Sequence, residues 1–169
     1  PRLDISFGNP LVNGPEGKLT ISGLLSEMVI EDAQINVAAN TVAMRLNLAI
    51  DIIAHEQLQL NISRFIIGAP VCSELQGDLK WRNAAVTAFE EKVQLGELAA
   101  KLTCDNGELI ADIDPKNNLG LSYRAALKQG GRFSGSGYLT PAEKFPEQLK
   151  AVLSFLGKPD SKGRYRLKI

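Results

Sequence analysis

The chain has 169 residues, 44% hydrophobic and 22% charged, with nineteen basic side chains balancing nineteen acidic ones and an isoelectric point near 7.1. A chain of this length buries roughly two-thirds of its unfolded surface, enough for a single core, so disorder is excluded. The even charge balance leaves no net field to hold nucleic acid or an anionic membrane, and aromatic residues at 6% are too few for a platform that stacks bases or sugars.

No apolar run approaches the roughly 20 residues that cross a bilayer, and no charged-then-apolar leader precedes the fold. One domain over residues 1–169 is expected, with a weak division near residue 70 as the alternative. The sequence opens at Pro1, without an initiator Met. It therefore reads as a fragment whose parent could carry an anchor.

Along the chain, short stretches alternate apolar and polar residues with the period of two that a half-buried strand needs. Gly17-Lys18-Leu19 opens one of them, and Gly77-Asp78-Leu79 and Gly107-Glu108-Leu109 repeat the form at irregular spacing, too loosely for a solenoid. The longest stripe is Val42, Met44, Leu46, Leu48, Ile50 and Ile52, with Arg45, Asn47 and Asp51 facing the other way, which predicts a strand. Leu58, Leu60 and Ile62 continue the alternation up to Gly68 and Pro70.

Leu75, Gly77, Leu79 and Trp81 alternate next, followed by Leu98, Ala100, Leu102 and Cys104 and then by Leu109, Ala111 and Ile113. Asp105-Asn106-Gly107 separates the last two runs, and Asn-Gly supplies the positive φ values of a tight turn, so residues 98–113 form a hairpin. A further strand covers 119–127, Gly130-Gly131 turns it, and Phe133, Gly135, Gly137 and Leu139 return. Glycines at 135 and 137 suit a curved strand or one approached closely by another backbone.

The period changes at Leu149, Val152, Leu153 and Leu156, spaced i, i+3, i+4, i+7, the apolar face of a helix. With Pro146 in its first turn, Gly157 at its end and Pro159 beyond, a helix of about three turns is expected over about 146–157. Thr140-Pro141-Ala142-Glu143 has the form of a capping box, but Pro146 interrupts any helix begun there. After the turn at Lys162-Gly163, a final strand sets Tyr165, Leu167 and Ile169 on one face and Arg164, Arg166 and Lys168 on the other. The fold class is mainly β, an antiparallel meander forming a strongly curved sheet or two packed sheets, with one short C-terminal helix.

Catalytic chemistry finds little support. His55 is the one histidine, and on a strand Asp51 would share its face, but an exposed or edge-strand histidine is the expected role. Nucleophile elbow, phosphate loop, dinucleotide fingerprint and HExxH pattern are all absent. Asp112, Asp114, Asn117 and Asn118 space oxygen ligands like the start of a calcium loop, yet Pro115 intrudes and the later Gly and Glu are missing, so a polar turn is expected. Glu90-Glu91-Lys92 reads as a solvated loop. No catalytic, cofactor or metal residue is assigned.

Cys72 and Cys104 lack CxxC spacing and a nearby histidine, which argues against zinc and dithiol redox chemistry. A disulfide worth about 3–4 kcal/mol in chain entropy and two small buried thiols both remain open. Trp81 lies on a stripe with Leu79 and fits core packing or a partner anchor. Arg164, Arg166 and Lys168, with Lys158 and Lys162, form a cationic face for solvent or for an anionic partner. Trp81, Arg164 and Arg166 are the candidate partner contacts.

Several segments occur in a distinctive order: Leu75-Gln-Gly-Asp-Leu-Lys-Trp81, Arg82-Asn-Ala-Ala-Val86, Leu95-Gly96 and Gly137-Tyr-Leu-Thr-Pro141. Gln148-Leu-Lys-Ala-Val-Leu153, Phe155-Leu-Gly-Lys-Pro-Asp160 and Gly163-Arg-Tyr-Arg-Leu167 complete the series. This order resembles protein N of the bacterial type II secretion system, most specifically in the helix running into FLGKPD and GRYRL and well over 75–167. The resemblance implies a periplasmic domain carried on an inner-membrane anchor absent from this sequence. Its partners would be other subunits of a machine that exports folded proteins through the outer membrane. It brings no catalytic residues. In that oxidising compartment Cys72 and Cys104 would pair. The implied function is a non-enzymatic accessory subunit, and the alternative is a periplasmic lipid- or hydrophobe-binding β domain, since alternating stripes and curving glycines can build a groove.

Overall fold

The computed structural model describes residues 1–9, 11, 14–48 and 50–168. Within them one antiparallel sheet holds eleven strands. The strands are β1 (Arg2–Phe7), β2 (Glu16–Ser22), β3 (Val29–Ala38), β4 (Ile53–His55), β5 (Gln57–Ile67) and β6 (Cys72–Ala88), then β7 (Glu91–Asp105), β8 (Glu108–Ile113), β9 (Leu121–Leu127), β10 (Phe133–Leu139) and β11 (Tyr165–Lys168). They follow one another across the sheet in chain order, except that β4 pairs with the far part of β6 beside β5. Strands that pair in chain order give a meander, as the alternating stripes and turn residues predict, with longer connections between β3 and β5 and between β10 and β11.

The register sorts the side chains by polarity, because residues directly opposite in an antiparallel pair share a face. One row crosses ten strands as Ser6, Lys18, Gln34, Asn61, Asp78, Lys101, Asp112, Arg124, Ser136 and Lys168. All are polar, and Asp78, Lys101, Asp112 and Arg124 alternate in sign. The rows on the other face are apolar: Phe7, Gly17, Ile35, Leu60, Leu79, Ala100 and Ile113, and beside it Ala33, Ile62, Gly77, Leu102, Ala111, Ala125 and Gly135. A slip of one residue in any strand would exchange the two sets, so the pattern fixes the register.

No second sheet lies over the apolar face among the described residues, yet Ala33, Leu75, Ala100 and Leu102 on it are buried. The sheet must therefore curl around that face, shielding the middle of the apolar rows by its own flanks. Register shifts bend it: β3 gains a residue at Asp32, whose φ is +49°, β5 gains one at Ser63, and β6 shifts again between Trp81 and Ala84. Of the two arrangements the sequence left open, the single curved sheet is the one formed.

One end of the curl is closed. Ala39, Ala54, Ala84, Val86, Val93 and Leu95 form a buried cluster against which Ala43, Ile52, Leu58, Trp81, Leu119 and Leu149 pack. Asn83, with φ +50°, creates the bulge that turns Ala84 and Val86 into this cluster, giving the Arg-Asn-Ala-Ala-Val segment its structural role. The 3-10 helix Glu147–Leu156 supplies Leu149 to the same end.

That helix matches the predicted limits, with Pro146 before it and Gly157, at φ +89°, ending it. Its bonds run over three residues, as in Leu149 N–H to the Pro146 carbonyl, so it is tighter than the α-helix that the spacing suggests. The hairpin at 98–113 is present, with Asp105 opposite Glu108 and both turn residues at positive φ, Asn106 at +49° and Gly107 at +79°. The last strand sets Tyr165 and Leu167 on the apolar face, while Ile169, expected to follow them, lies outside the described residues.

The stripe at 42–52 is not a strand. Ala38 already pairs with Gln57, so residues 39–56 form an excursion between β3 and β5. They make a one-turn helix, α1 (Ala39–Ala43), and a turn that leaves Met44 73% exposed, and they return as β4. Ala39 N–H donates to the Glu56 carbonyl and Ala54 N–H to Asn40 Oδ1, which ties the excursion at its neck. Alternation alone does not make a strand when the sheet positions on both sides are filled; Ala49, within the stripe, lies outside the described residues.

At the other end of the curl, Cys72 and Cys104 form a disulfide with their Cα atoms 6.1 Å apart, which settles the choice between a bridge and free thiols. The 32-residue separation limits the unfolded chain. Replacing both cysteines by serine is expected to cost about 3–4 kcal/mol in denaturant unfolding, and reductant should destabilise the native protein by a similar amount while leaving the double variant unchanged. Gly107→Ala should also destabilise, because its φ is +79° and an added Cβ would overlap Pro70 and the Ala69 carbonyl; a loss above about 1 kcal/mol is the expected reading.

Candidate functional site

The predicted contact residues divide between two places. Trp81 sits at the closed end of the curl, where its ring packs against the alanine-rich cluster and its indole N–H donates to the His55 carbonyl at 2.8 Å. His55 itself is on β4, and its Nε2 lies 2.7 Å from Thr87 Oγ1. Asp51 lies before β4 in irregular chain, outside the strand geometry that would have aligned it with His55. The structure therefore pairs the imidazole with a hydroxyl on β6.

Arg164 and Arg166 lie at the opposite edge of the sheet, on and just before β11. Asp160 builds the approach to this strand. Its Oδ1 accepts the backbone N–H groups of Lys162 and Arg164, both at 2.9 Å, and its Oδ2 accepts Arg164 Nε at 2.8 Å. These bonds, led by the Arg164 backbone N–H, hold the Asp160 carboxyl below the usual carboxylate range. The Arg164 guanidinium also stacks 4.2 Å over the Tyr138 ring on β10. Thus the Lys-Pro-Asp and Gly-Arg-Tyr-Arg segments meet as one folded turn.

Arg166 stands opposite Tyr138 on the polar face. Beside them a shallow hollow of about 270 Å³ is lined by Asp112, Arg124, Ser136, Tyr138 and Arg166, among others. Arg124 reaches both oxygens of Asp112, at 3.0 and 3.2 Å, and approaches Asp105 at 3.6 Å. This strip presents ordered guanidinium and carboxylate groups to solvent and suits recognition of polar or charged groups on a macromolecule.

Asp114 and Asn117, read as a polar turn, close the loop between β8 and β9: Asp114 Oδ1 accepts Lys116 N–H, and Asn117 bonds the Asp114 carbonyl and both backbone groups of Leu121. Asp112 faces Arg124 instead of joining them. Among the described residues no group of three or more His, Cys, Asp or Glu side chains converges as a metal site.

Sequence reasoning missed one exposed feature. Phe89 and Glu90 form the two-residue tip of the β6–β7 hairpin at φ +51° and +67°, with the Phe89 ring largely exposed. A bulky residue in the left-handed region is strained, and Phe-Glu carries none of the Gly or Asn signals by which such turns are recognised. Of Glu90, Glu91 and Lys92, expected in a solvated loop, all are exposed but only Glu90 is in the turn, Glu91 and Lys92 opening β7.

A family model described as "Type II secretion system (T2SS), protein N" matches residues 1–168. The type II secretion system protein N of Aeromonas hydrophila is 32% identical over 99% of this chain and 67% of its own length. The protein of the same name from Vibrio cholerae serotype O1 is 28% identical over 96% of this chain and 65% of its own, and that of Klebsiella pneumoniae is 26% identical over 97% and 65%. The chain thus spans about two-thirds of the length of these relatives. No solved structure matches.

Two substitutions check this geometry. Trp81→Phe keeps the packing but removes the bond to the His55 carbonyl, and should cost about 1 kcal/mol in urea unfolding followed by circular dichroism. Because the folded Asp160 carboxyl is held low, its contribution is present above the unfolded pKa and disappears as pH falls through the folded value. Asp160→Asn is therefore expected to melt below the wild type at pH 7, the two melting temperatures converging below the usual carboxylate range.

Proposed function

The chain belongs to the type II secretion system protein N family, and from that premise we propose that it acts as a non-enzymatic accessory subunit, supporting export of folded proteins across the outer membrane through contacts with other subunits. The observation that carries the reading is the family match over residues 1–168. The Cys72–Cys104 disulfide supports a periplasmic location, since such bonds persist in oxidising compartments. An inner-membrane anchor outside this sequence would hold the domain there.

The β11 edge is the proposed contact. Asp160 and Tyr138 order Arg164, and Arg166 projects beside them, so a partner bearing carboxylates would meet donors already positioned, at reduced entropic cost. The β11 strand also ends the sheet and offers backbone groups to an added strand. Trp81 is occupied against the closed end and is the less favoured of the candidate contacts.

In cells carrying the full-length protein, Arg166→Glu combined with Lys168→Glu should lower secretion of exported proteins several-fold at unchanged protein level. Crosslinks from this edge to other secretion subunits should fall in parallel. Normal secretion in the variant, or no crosslink to any secretion subunit from the wild type, would overturn the proposal.

A further inference from the structure

Leu60, Ile62 and Leu79 on the apolar face are only half-buried, and no second sheet covers them among the described residues. The rows of this face cross seven strands without a charged or amide side chain, and the backbone groups between neighbouring strands are used in the ladder. Soluble monomers rarely leave contiguous apolar patches above a few hundred Å². Here the face is closed at one end by the alanine-rich cluster, while exposed apolar side chains gather at the other.

The open end has an apolar lip. Leu3, Ile67 and Phe133 are more than half exposed, and the β2–β3 loop carries Leu24 at 67% and Leu25 at 95% exposure. A cavity of about 780 Å³ lies among Leu3, Ile21, Leu24, Leu25 and Met28 at this mouth, within the roughly 300–1,000 Å³ range of small-molecule sites.

We propose that this face is a binding groove for the acyl chains of a lipid, entered at the Leu24-Leu25 lip. Three features select that occupant. The groove runs from the row of Phe65 and Leu75 to the row of Leu58 and Trp81, six residues along β6, or about 20 Å at strand rise. One leaflet of a bilayer is about 15 Å of hydrocarbon, so an extended acyl chain fits the groove's length. Second, the two apolar rows carry no hydrogen-bonding side chain from β3 to β8, Tyr123 and Tyr165 lying on the β9–β11 flank of the face, which suits hydrocarbon, whereas protein interfaces carry about one hydrogen bond per 100–200 Å². Third, a concave face cannot mate with the same face of a second copy without a void, which packing disfavours. The groove is independent of the β11 contact, and either can fail without the other.

The test is photocrosslinking from defined positions of the full-length protein in its native envelope. A benzophenone amino acid replaces Leu60 or Leu79 on the apolar face, or Asn61 or Asp78 on the polar face, and adducts are identified by mass spectrometry. Phospholipid adducts at least tenfold more abundant from Leu60 and Leu79 than from Asn61 and Asp78 are expected. The same probe at exposed Leu3, which loads no packed position, serves if a central variant fails to fold, with Asp4 as its polar-face control. Equal lipid labelling from both faces, adducts to a protein segment in place of lipid, or no adduct from the apolar positions would overturn the proposal.

Discussion

A ten-strand meander with a polar row on one face and apolar rows on the other must, among the described residues, hide the apolar face without a second sheet, and the rest of the structure follows from that constraint. Charges alternate in sign along Asp78, Lys101, Asp112 and Arg124 on the outer face, where Arg124 pairs with Asp112. Each such exposed pair is worth little, about 0.2–1 kcal/mol. The inner face contributes more, because a slip by one residue would carry Leu60, Leu79 and Leu102 into water. Curling is the response of a single layer, and the bulges at Asp32, Ser63 and Asn83 are where it bends.

The two ends of the curl are built differently. At one end small side chains allow close packing: Ala39, Ala54 and Ala84 let the excursion between β3 and β5, the paired ends of β6 and β7 behind their hairpin tip, and the 3-10 helix converge. At the other end buried Cys72 is joined covalently to Cys104, and the Val71 and Cys72 N–H groups both donate to the Gly107 carbonyl. That end carries exposed Leu24, Leu25, Ile67 and Phe133.

Much of this was legible in the sequence where a local rule and the tertiary fold agree. Asn106-Gly107 made its turn, Gly130-Gly131 turned β9 into β10, and Pro146 and Gly157 bounded the helical segment, since each acts through its own backbone preferences. The stripe at 42–52 failed because period two records which side chains could share a face, not whether a neighbouring strand is available. The first three strands were read only through Gly17-Lys18-Leu19: β1, though it alternates as Leu3, Ile5 and Phe7, is only six residues long, and β3 is broken by the bulge at Asp32. Family resemblance came from the Gly-Lys-Pro-Asp and Gly-Arg-Tyr-Arg segments, and the structure gives its physical content: Asp160 caps the turn and Arg164 joins it to Tyr138. The Phe89-Glu90 tip and the apolar lip carried no local signal, because their exposure is a property of the assembled sheet.

A single curled layer, closed at one end and open at the other, underlies both the packing and the proposed groove. Hydroxyl-radical footprinting of the full-length protein, stripped of lipid, probes that asymmetry most directly. Strong modification of Leu3, Ile67 and Phe133 is expected, with protection of Val86, Val93 and Leu95. Equal protection at both ends would mean that a further layer covers the mouth, and would contradict the open curl.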